Sequence, residues 1–94
     1  MPLFLLYCTD KSNSLDVRMG AREAHLAYAR ERIATIKLGG PILDDKGDMA
    51  GSVLLLEAPD LAAAQAFNTD DPYTKAGLWE RVEIKPFKVT LGQL

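Results

Sequence analysis

Apolar and polar positions follow strand and helix periods along the chain and predict four strands and three helices. Residues Leu3 to Thr9 are apolar at nearly every position, which is typical of a strand covered on both faces. After a polar turn, apolar residues recur at helical spacing from about Leu15 to Ile36. We expect this first helix to bury one stripe, which consists of Leu15, Met19, Leu26, Ala29, Ile33 and Ile36.

The middle of the chain has the pattern of a hairpin followed by a helix. Glycines end the first helix, and Pro41 to Leu43 continue as a second strand. The polar stretch Asp44 to Asp48 is typical of a hairpin connection, so the next strand, Val53 to Glu57, should pair antiparallel with the second. This third strand is again apolar on both faces. A helix from Leu61 to about Phe67 follows, with Asp60 as its N-cap.

The last third of the chain predicts a short helix and a strand. Asp71-Pro72 has the form of an N-cap followed by proline at the first helical position, and the helix should end near Trp79. The strand runs from Val82 to Leu91. Its apolar alternation changes parity across Lys85-Pro86, which indicates a bulge on an edge strand.

The element order βαββαβ, with the short extra helix before the last strand, predicts an α+β fold with a ferredoxin-like antiparallel sheet. We expect residues 1–94 to form a single domain. Helices on one face leave the other face of the sheet open, yet the first and third strands are apolar on both faces. A second copy packed on the open face would cover it, so we expect a homodimer.

Charge and composition narrow the function classes. The formal net charge is -2 and the basic residues are dispersed, which argues against nucleic-acid binding. No stretch resembles a signal peptide or a membrane span, and we expect a cytoplasmic protein with no membrane partner. Cys8 is the only cysteine, which excludes an intramolecular disulfide and favours a small core residue over a nucleophile.

The first helix carries three groups that can be cations on or beside its buried stripe. Arg22 lies within the stripe, and Arg18 and His25 lie about 40° and 60° to one side of it. Because buried arginines need partners, either internal carboxylates pair with them or the helix borders a pocket for a small anion. His25 is the only histidine and the first candidate for a general acid or base, although a structural histidine is the more common case.

Several polar residues are candidates to complete such a site. Asp10 ends the first strand and is better placed to pair with Arg18 than to orient His25. Asp71 is the candidate for orienting His25, although an N-cap is the more common role of an aspartate in this position; capping leaves the other carboxylate oxygen free for a second contact. Asp70 is the alternative. Ser52, at the start of the third strand, is a candidate hydrogen-bond donor to a ligand.

Metal and cofactor sites find little support in the sequence. One histidine and no cysteine cluster do not furnish a zinc site. The acids of Asp44 to Asp48 lack the later glutamate of a calcium loop, and Gly39-Gly40-Pro41 follows a helix where a phosphate loop would precede one. We therefore expect neither a metal nor a cofactor. The scattered aromatic residues are better explained by core packing and dimer contacts than by nucleotide stacking, and they include Tyr28, Tyr73, Trp79 and Phe87.

The order and spacing of these residues resemble the YCII-related (YciI-like) family of small bacterial proteins over nearly the whole chain. The matching positions are Tyr7-Cys8-Thr9-Asp10, Ser14 to Arg18, Arg22, His25, Gly40-Pro41, Gly51-Ser52, Asp71-Pro72-Tyr73, Ala76-Gly77 and Val82 to Lys88. The resemblance implies a ferredoxin-like fold that pairs into a dimeric α/β barrel. It also implies a histidine–aspartate dyad, which falls on His25 and Asp71. The second hairpin is shorter than the family pattern, with Met49-Ala50 before Gly51-Ser52.

The resemblance implies lyase or isomerase chemistry, because some relatives belong to pathways that break down chlorinated aromatic compounds and one eliminates HCl. The leading hypothesis is a small dimeric enzyme that moves a proton on a small organic acid, with His25 and Asp71 as the dyad and Arg18 or Arg22 holding the anion. One alternative is a non-catalytic ligand-binding or accessory module. A third possibility is that internal acids pair with both arginines and leave no open pocket.

Overall fold

The computed structural model describes residues 1–94 as one antiparallel sheet with helices on one face. The strand order is β2-β3-β1-β4, so β3 and β1 are central and β2 and β4 are the edges. This is the predicted ferredoxin-like α+β fold. In chain order the elements are β1 (Leu3–Asp10), α1 (Leu15–Glu31), β2 (Ile36–Leu43), β3 (Met49–Glu57), α2 (Leu61–Asp70), α3 (Pro72–Lys75) and β4 (Trp79–Phe87).

The core lies between the sheet and the helices and is built by strict alternation along the two central strands. Every second residue of β1 and β3 points to the helices, and paired positions such as Phe4–Leu56 and Leu6–Leu54 stack their side chains on that face. Phe67 of α2 packs on this cluster from the helix side of the sheet. Cys8 is buried on the same face, as the sequence predicts.

The first helix ends five residues earlier than the sequence predicts. It stops at Glu31, and Ile36 already pairs with Leu56 as the first residue of β2. The residues between them include β-branched Ile33 and Thr35, which have lower helix propensity. Pairing with the apolar β3 therefore outweighs the helical period of the sequence. No helix in the structure is both long and apolar enough to cross a lipid bilayer.

The predicted buried stripe of α1 is correct only in part. Leu15, Met19 and Ile33 are 41%, 52% and 66% exposed, whereas Leu26, Ala29 and Ile36 are half-buried. The fully buried residue of the helix is Arg18, and the half-buried positions that follow it at helical spacing include His25. The most deeply buried side of the helix is therefore displaced from the apolar stripe toward Arg18 and His25.

The caps of α2 and α3 match the predictions. Asp60 accepts a hydrogen bond from the Ala63 amide at 2.8 Å, and Asp71 accepts one from the Tyr73 amide at 2.9 Å. The turn between β2 and β3 is the predicted hairpin connection, in which Asp44 Oδ1 accepts from two backbone amides.

The last strand differs from its prediction in extent and in the position of the bulge. It runs from Trp79 to Phe87 and does not reach Leu91. Lys85-Pro86 pairs in regular register with β1, and the register shift lies at the other end, between Thr9 and Asp10. Because β4 is an edge strand, Pro86 can sit in it without removing a hydrogen bond from the interior of the sheet.

Candidate active site

A cavity of about 280 Å³ opens between α1 and the edge of the sheet formed by β2 and β3. Ser52 and Leu54 face it from β3 because they share the helix-facing parity of that strand. The helix wall combines cationic and apolar side chains, and the apolar ones are Leu26, Ala29 and Ile33. The polar side chains that line the cavity are Arg18, Arg22, His25, Lys37, Ser52 and Tyr73.

His25 and Asp71 form a direct contact in this cavity. The imidazole Nδ1 lies 2.8 Å from Asp71 Oδ1, and the Asp71 carboxylate is 2% exposed. The same Oδ1 accepts the Tyr73 amide, so one oxygen fulfils both the capping and the orienting contact. Because a carboxylate accepts the Nδ1 proton, the neutral ring carries its lone pair on Nε2. Neither Asp70 nor Asp10 contacts His25.

Tyr73 fixes the plane of the imidazole. The two rings stack with centroids 4.0 Å apart and an interplanar angle of 15°. On the helix, Arg18 and His25 are about 10 Å apart, or two turns. The Arg18 Cζ lies 4.7 Å from the Tyr73 centroid, so the phenol ring lies between the guanidinium and the imidazole. From the sequence, Tyr73 is explained by core packing and dimer contacts. The one sequence feature that indicates its place in this site is its position two residues after Asp71.

Arg18 is held by two partners on neighbouring strands. Its Nε and Nη2 donate to the two oxygens of Asp10 at 2.8 and 2.9 Å, and Nη2 also donates to Ser52 Oγ at 2.9 Å. The contact between Asp10 and Arg18 is the one expected from the sequence. Burial by itself lowers the pKa of Arg18, but the hydrogen bonds and charge of Asp10 outweigh it and raise that pKa above its ordinary value.

Arg22 differs from Arg18 in having no carboxylate partner. It is exposed and lines the cavity one helical turn below Arg18, and no acidic side chain lies within salt-bridge distance of it. The possibility that internal acids pair with both arginines and leave no pocket is therefore wrong, because the cavity is open and Arg22 is unpaired.

Two further ionisable groups near the site stay neutral. Burial, followed by the charges of Asp71 and Asp10, raises the pKa of Cys8 to about 12. Burial likewise raises the pKa of Tyr73, with Arg18 and Arg22 opposing the shift. A protonated thiol is a poor nucleophile, which leaves His25 as the candidate proton acceptor of the cavity.

Comparison with known proteins places the chain in a family. The YCII-related domain matches residues 2–88. The chain belongs to this family. A YCII-related relative from Escherichia coli, protein YciI, is 38% identical over 97 residues, covering 92% of this chain and 96% of the relative. An uncharacterized protein of Haemophilus influenzae is 31% identical over 93 residues, covering 90% and 95% of the two chains.

Solved structures extend the comparison. The chain resembles 5-chloro-2-hydroxyhydroquinone dehydrochlorinase (TftG) of Burkholderia phenoliruptrix, which was solved in complex with 2,5-dihydroxybenzoquinone. The two structures superpose with a TM-score of 0.86 and are 41% identical, and the match covers 92% of this chain and 93% of TftG. An antibiotic biosynthesis monooxygenase superposes with a TM-score of 0.59 at 14% identity, covering 97% of this chain and 100% of that chain, and shares the fold alone.

Proposed function

We propose that this protein is an enzyme of the lyase or isomerase type that moves a proton on a small, anionic, ring-derived organic compound. The observation that carries the proposal is the 2.8 Å contact between Asp71 Oδ1 and His25 Nδ1. It supports a tautomer whose basic Nε2 has no hydrogen-bond partner in the protein and belongs to a residue that lines the cavity. Asp71 and the stacked Tyr73 hold the imidazole in one orientation.

The rest of the cavity supports an anionic ligand of modest size. Arg22 supplies an unpaired cation, while Arg18 is occupied by Asp10. The apolar walls and the volume of about 280 Å³ suit one substituted ring better than a nucleotide. TftG, which shares this fold at 41% identity, acts on a chlorinated hydroxyhydroquinone, as its name states, and was solved with a hydroxylated benzoquinone.

The proposed reaction begins with proton removal from carbon. His25 Nε2 takes a proton from a carbon beside a carbonyl or beside a carbon that bears a leaving group. In an elimination from a saturated carbon, the C–H electron pair forms a double bond and chloride leaves with the pair of its own bond. In a chlorinated hydroxyhydroquinone the ring instead first takes a keto form with hydrogen on the chlorinated carbon. His25 then removes a hydroxyl proton, the O–H pair forms a carbonyl, one ring double bond shifts, and chloride leaves with the pair of its own bond. In an isomerisation the imidazolium returns the proton to a different carbon. Arg22 holds the negative charge of the substrate in both cases.

Chloride release and solvent exchange test this function. Purified protein is incubated in D2O with 5-chloro-2-hydroxyhydroquinone and with a panel of small cyclic keto acids. Chloride is measured by ion chromatography, and deuterium incorporation is followed by NMR. We expect turnover of at least one compound, and His25→Gln should lower its rate by about 100-fold or more. Glu23→Gln, an exposed change on the same helix, is the matched control and should leave the rate unchanged.

The alternative of a non-catalytic ligand-binding module predicts a different result in the same experiment. Compounds would bind, detected as shifts in the NMR spectrum, without chloride release or deuterium incorporation. His25→Gln would then change only the affinity. That outcome would replace the enzymatic proposal with the binding module.

We also propose that the protein is a homodimer that buries the face of the sheet opposite the helices. Tyr7 of β1, Leu38 of β2 and Phe87 of β4 are 43%, 48% and 44% exposed, and they share this face with the half-buried Leu5 and Val53. The same register puts Glu83 and Lys85 of β4 on this face, so charged residues border the apolar area at the β4 edge. An apolar area with a polar border is typical of an interface. A second copy offers a surface of the same size and character.

A further inference from the structure

Ser52 has an unusual hydrogen-bonding position in the cavity. It is buried, it lines the cavity from β3, and its Oγ accepts a hydrogen bond from Arg18 Nη2 at 2.9 Å. A serine hydroxyl has one proton to donate, and no acceptor in the protein receives it. The proton of Ser52 is therefore available to whatever occupies the cavity.

Arg18 makes this hydroxyl a stronger donor. A hydroxyl that accepts from a guanidinium is polarised by the charge and donates more strongly in turn. Both carboxylate oxygens of Asp10 accept hydrogen bonds from Arg18, which fixes the orientation of the guanidinium and keeps it from turning toward a ligand. Arg18 therefore acts on a ligand by polarising the Ser52 hydroxyl, to which it donates a hydrogen bond.

Ser52 and His25 face the same cavity from different walls. Ser52 belongs to the sheet wall, and His25 belongs to the helix wall two turns along from Arg18. A polarised donor and an imidazole with a free ring nitrogen that share one small cavity are the two groups that enolisation requires. An apolar lining strengthens the interaction of the donor with negative charge.

We infer that Ser52 is an oxyanion donor that recognises a carbonyl or enolate oxygen of the ligand, with Arg18 as the positioning residue behind it. This inference rests on the proposed function and names its substrate class: a compound with a carbonyl oxygen conjugated to, or one bond from, the carbon that His25 deprotonates. When Nε2 removes that proton, the C–H electron pair forms a C=C bond and the carbonyl π pair moves to oxygen. Ser52 donates to that oxygen. The carbonyl re-forms when the proton returns or chloride leaves.

Ligand binding by Ser52 variants tests the inference. The oxyanion probe is 2,5-dihydroxybenzoquinone, which is ionised near neutral pH. Resorcinol is a neutral ring of similar size. Both are titrated by NMR into the wild-type protein, Ser52→Ala and Ser52→Cys. The thiol of the cysteine variant preserves volume but is a weak donor, so it separates the loss of the hydrogen bond from a change of cavity shape.

We expect the affinity for 2,5-dihydroxybenzoquinone to fall by about 10-fold or more in both variants, with resorcinol binding unchanged. Equal affinity of all three proteins for the quinone would overturn the oxyanion role and leave the His25 chemistry standing, since that is tested separately by His25→Gln. Equal weakening for both ligands would also overturn it, because the effect would then be one of cavity shape. Failure of the wild-type protein to bind the quinone would also overturn the inference, whereas the proposed function is decided by chloride release and deuterium incorporation.

Discussion

The imidazole of His25 stacks on the phenol ring of Tyr73, with ring centroids 4.0 Å apart and planes 15° from parallel. Asp71 contacts both residues, accepting from the Tyr73 amide and meeting His25 Nδ1 with the same oxygen. One turn of chain at the start of α3 therefore restricts both the tilt and the rotation of the imidazole. An imidazole oriented in this way loses little freedom when a ligand binds, which favours the proposed role of His25 as a base.

The tautomer of His25 should depend on the charge of Asp71. With the carboxylate present, we expect the neutral ring to carry its proton on Nδ1. Asp71→Asn replaces a charged acceptor by a weaker neutral one and should increase the population with the proton on Nε2. The 15N chemical shifts of labelled His25 report the two populations directly. Asp70→Asn, an exposed neighbour, should leave them unchanged, and an unaltered spectrum in Asp71→Asn would remove the orienting role.

The oligomeric state should respond to charge on the open face of the sheet. We expect the wild-type protein to elute as a dimer in size-exclusion chromatography with light scattering. Tyr7→Glu places a charge at the centre of that face and should give a monomer, because the charge would be desolvated in the interface. Val17→Glu, on the outer side of α1, is the control and should remain dimeric. A wild-type monomer at micromolar concentration would refute the dimer.

Cys8 should make stability fall at alkaline pH. Burial holds its pKa at about 12 in the folded protein, against an ordinary value of 9.0. Between these two values the unfolded chain loses the thiol proton and the folded chain keeps it, so rising pH favours unfolding by up to about 1.4 kcal/mol per pH unit. Below pH 9 this stabilisation is fully present.

Urea unfolding from pH 8 to pH 10.5 measures that effect. Cys8→Ala lacks the thiol, so its unfolding free energy should decline less steeply over the same range than that of the wild-type protein. The native thiol should also resist a thiol reagent at pH 8 and react once urea is added. Parallel pH profiles, or rapid labelling of the native protein, would contradict the assignment.

Replacing each of two glycines by alanine should change the unfolding free energy in opposite directions. A Cβ on Gly51 would lie 2.6 Å from the Cys8 carbonyl oxygen, where β1 and β3 pair closely, so Gly51→Ala should lower the unfolding free energy by about 1–3 kcal/mol. A Cβ on Gly20 meets nothing within 4 Å. Gly20→Ala lies inside α1 and should raise the unfolding free energy by about 0.5–1 kcal/mol. Thermal or urea denaturation distinguishes the two.

The sequence by itself determined the order of the elements and part of the site. Local patterns sufficed, because apolar strands, caps and a hairpin turn are encoded within a few residues, as at Asp60 and at Asp71-Pro72. The pairing of Asp10 with Arg18 also followed, since the end of β1 and the first turns of α1 are joined by a short turn. The contact of Asp71 with His25 was expected from the family resemblance, with Asp70 as the alternative.

Only the tertiary structure decided which side of α1 is buried. The apolar stripe predicted Leu15, Met19 and Ile33 as core, but the partners of Arg18 lie on β1 and β3, and the guanidinium can be buried only where both are in reach. Ser52 is 34 residues away in sequence, so no local period reveals that contact. The unpaired state of Arg22, the position of Tyr73 between Arg18 and His25, and the cavity itself are also tertiary features, because the residues that form them come from separate elements.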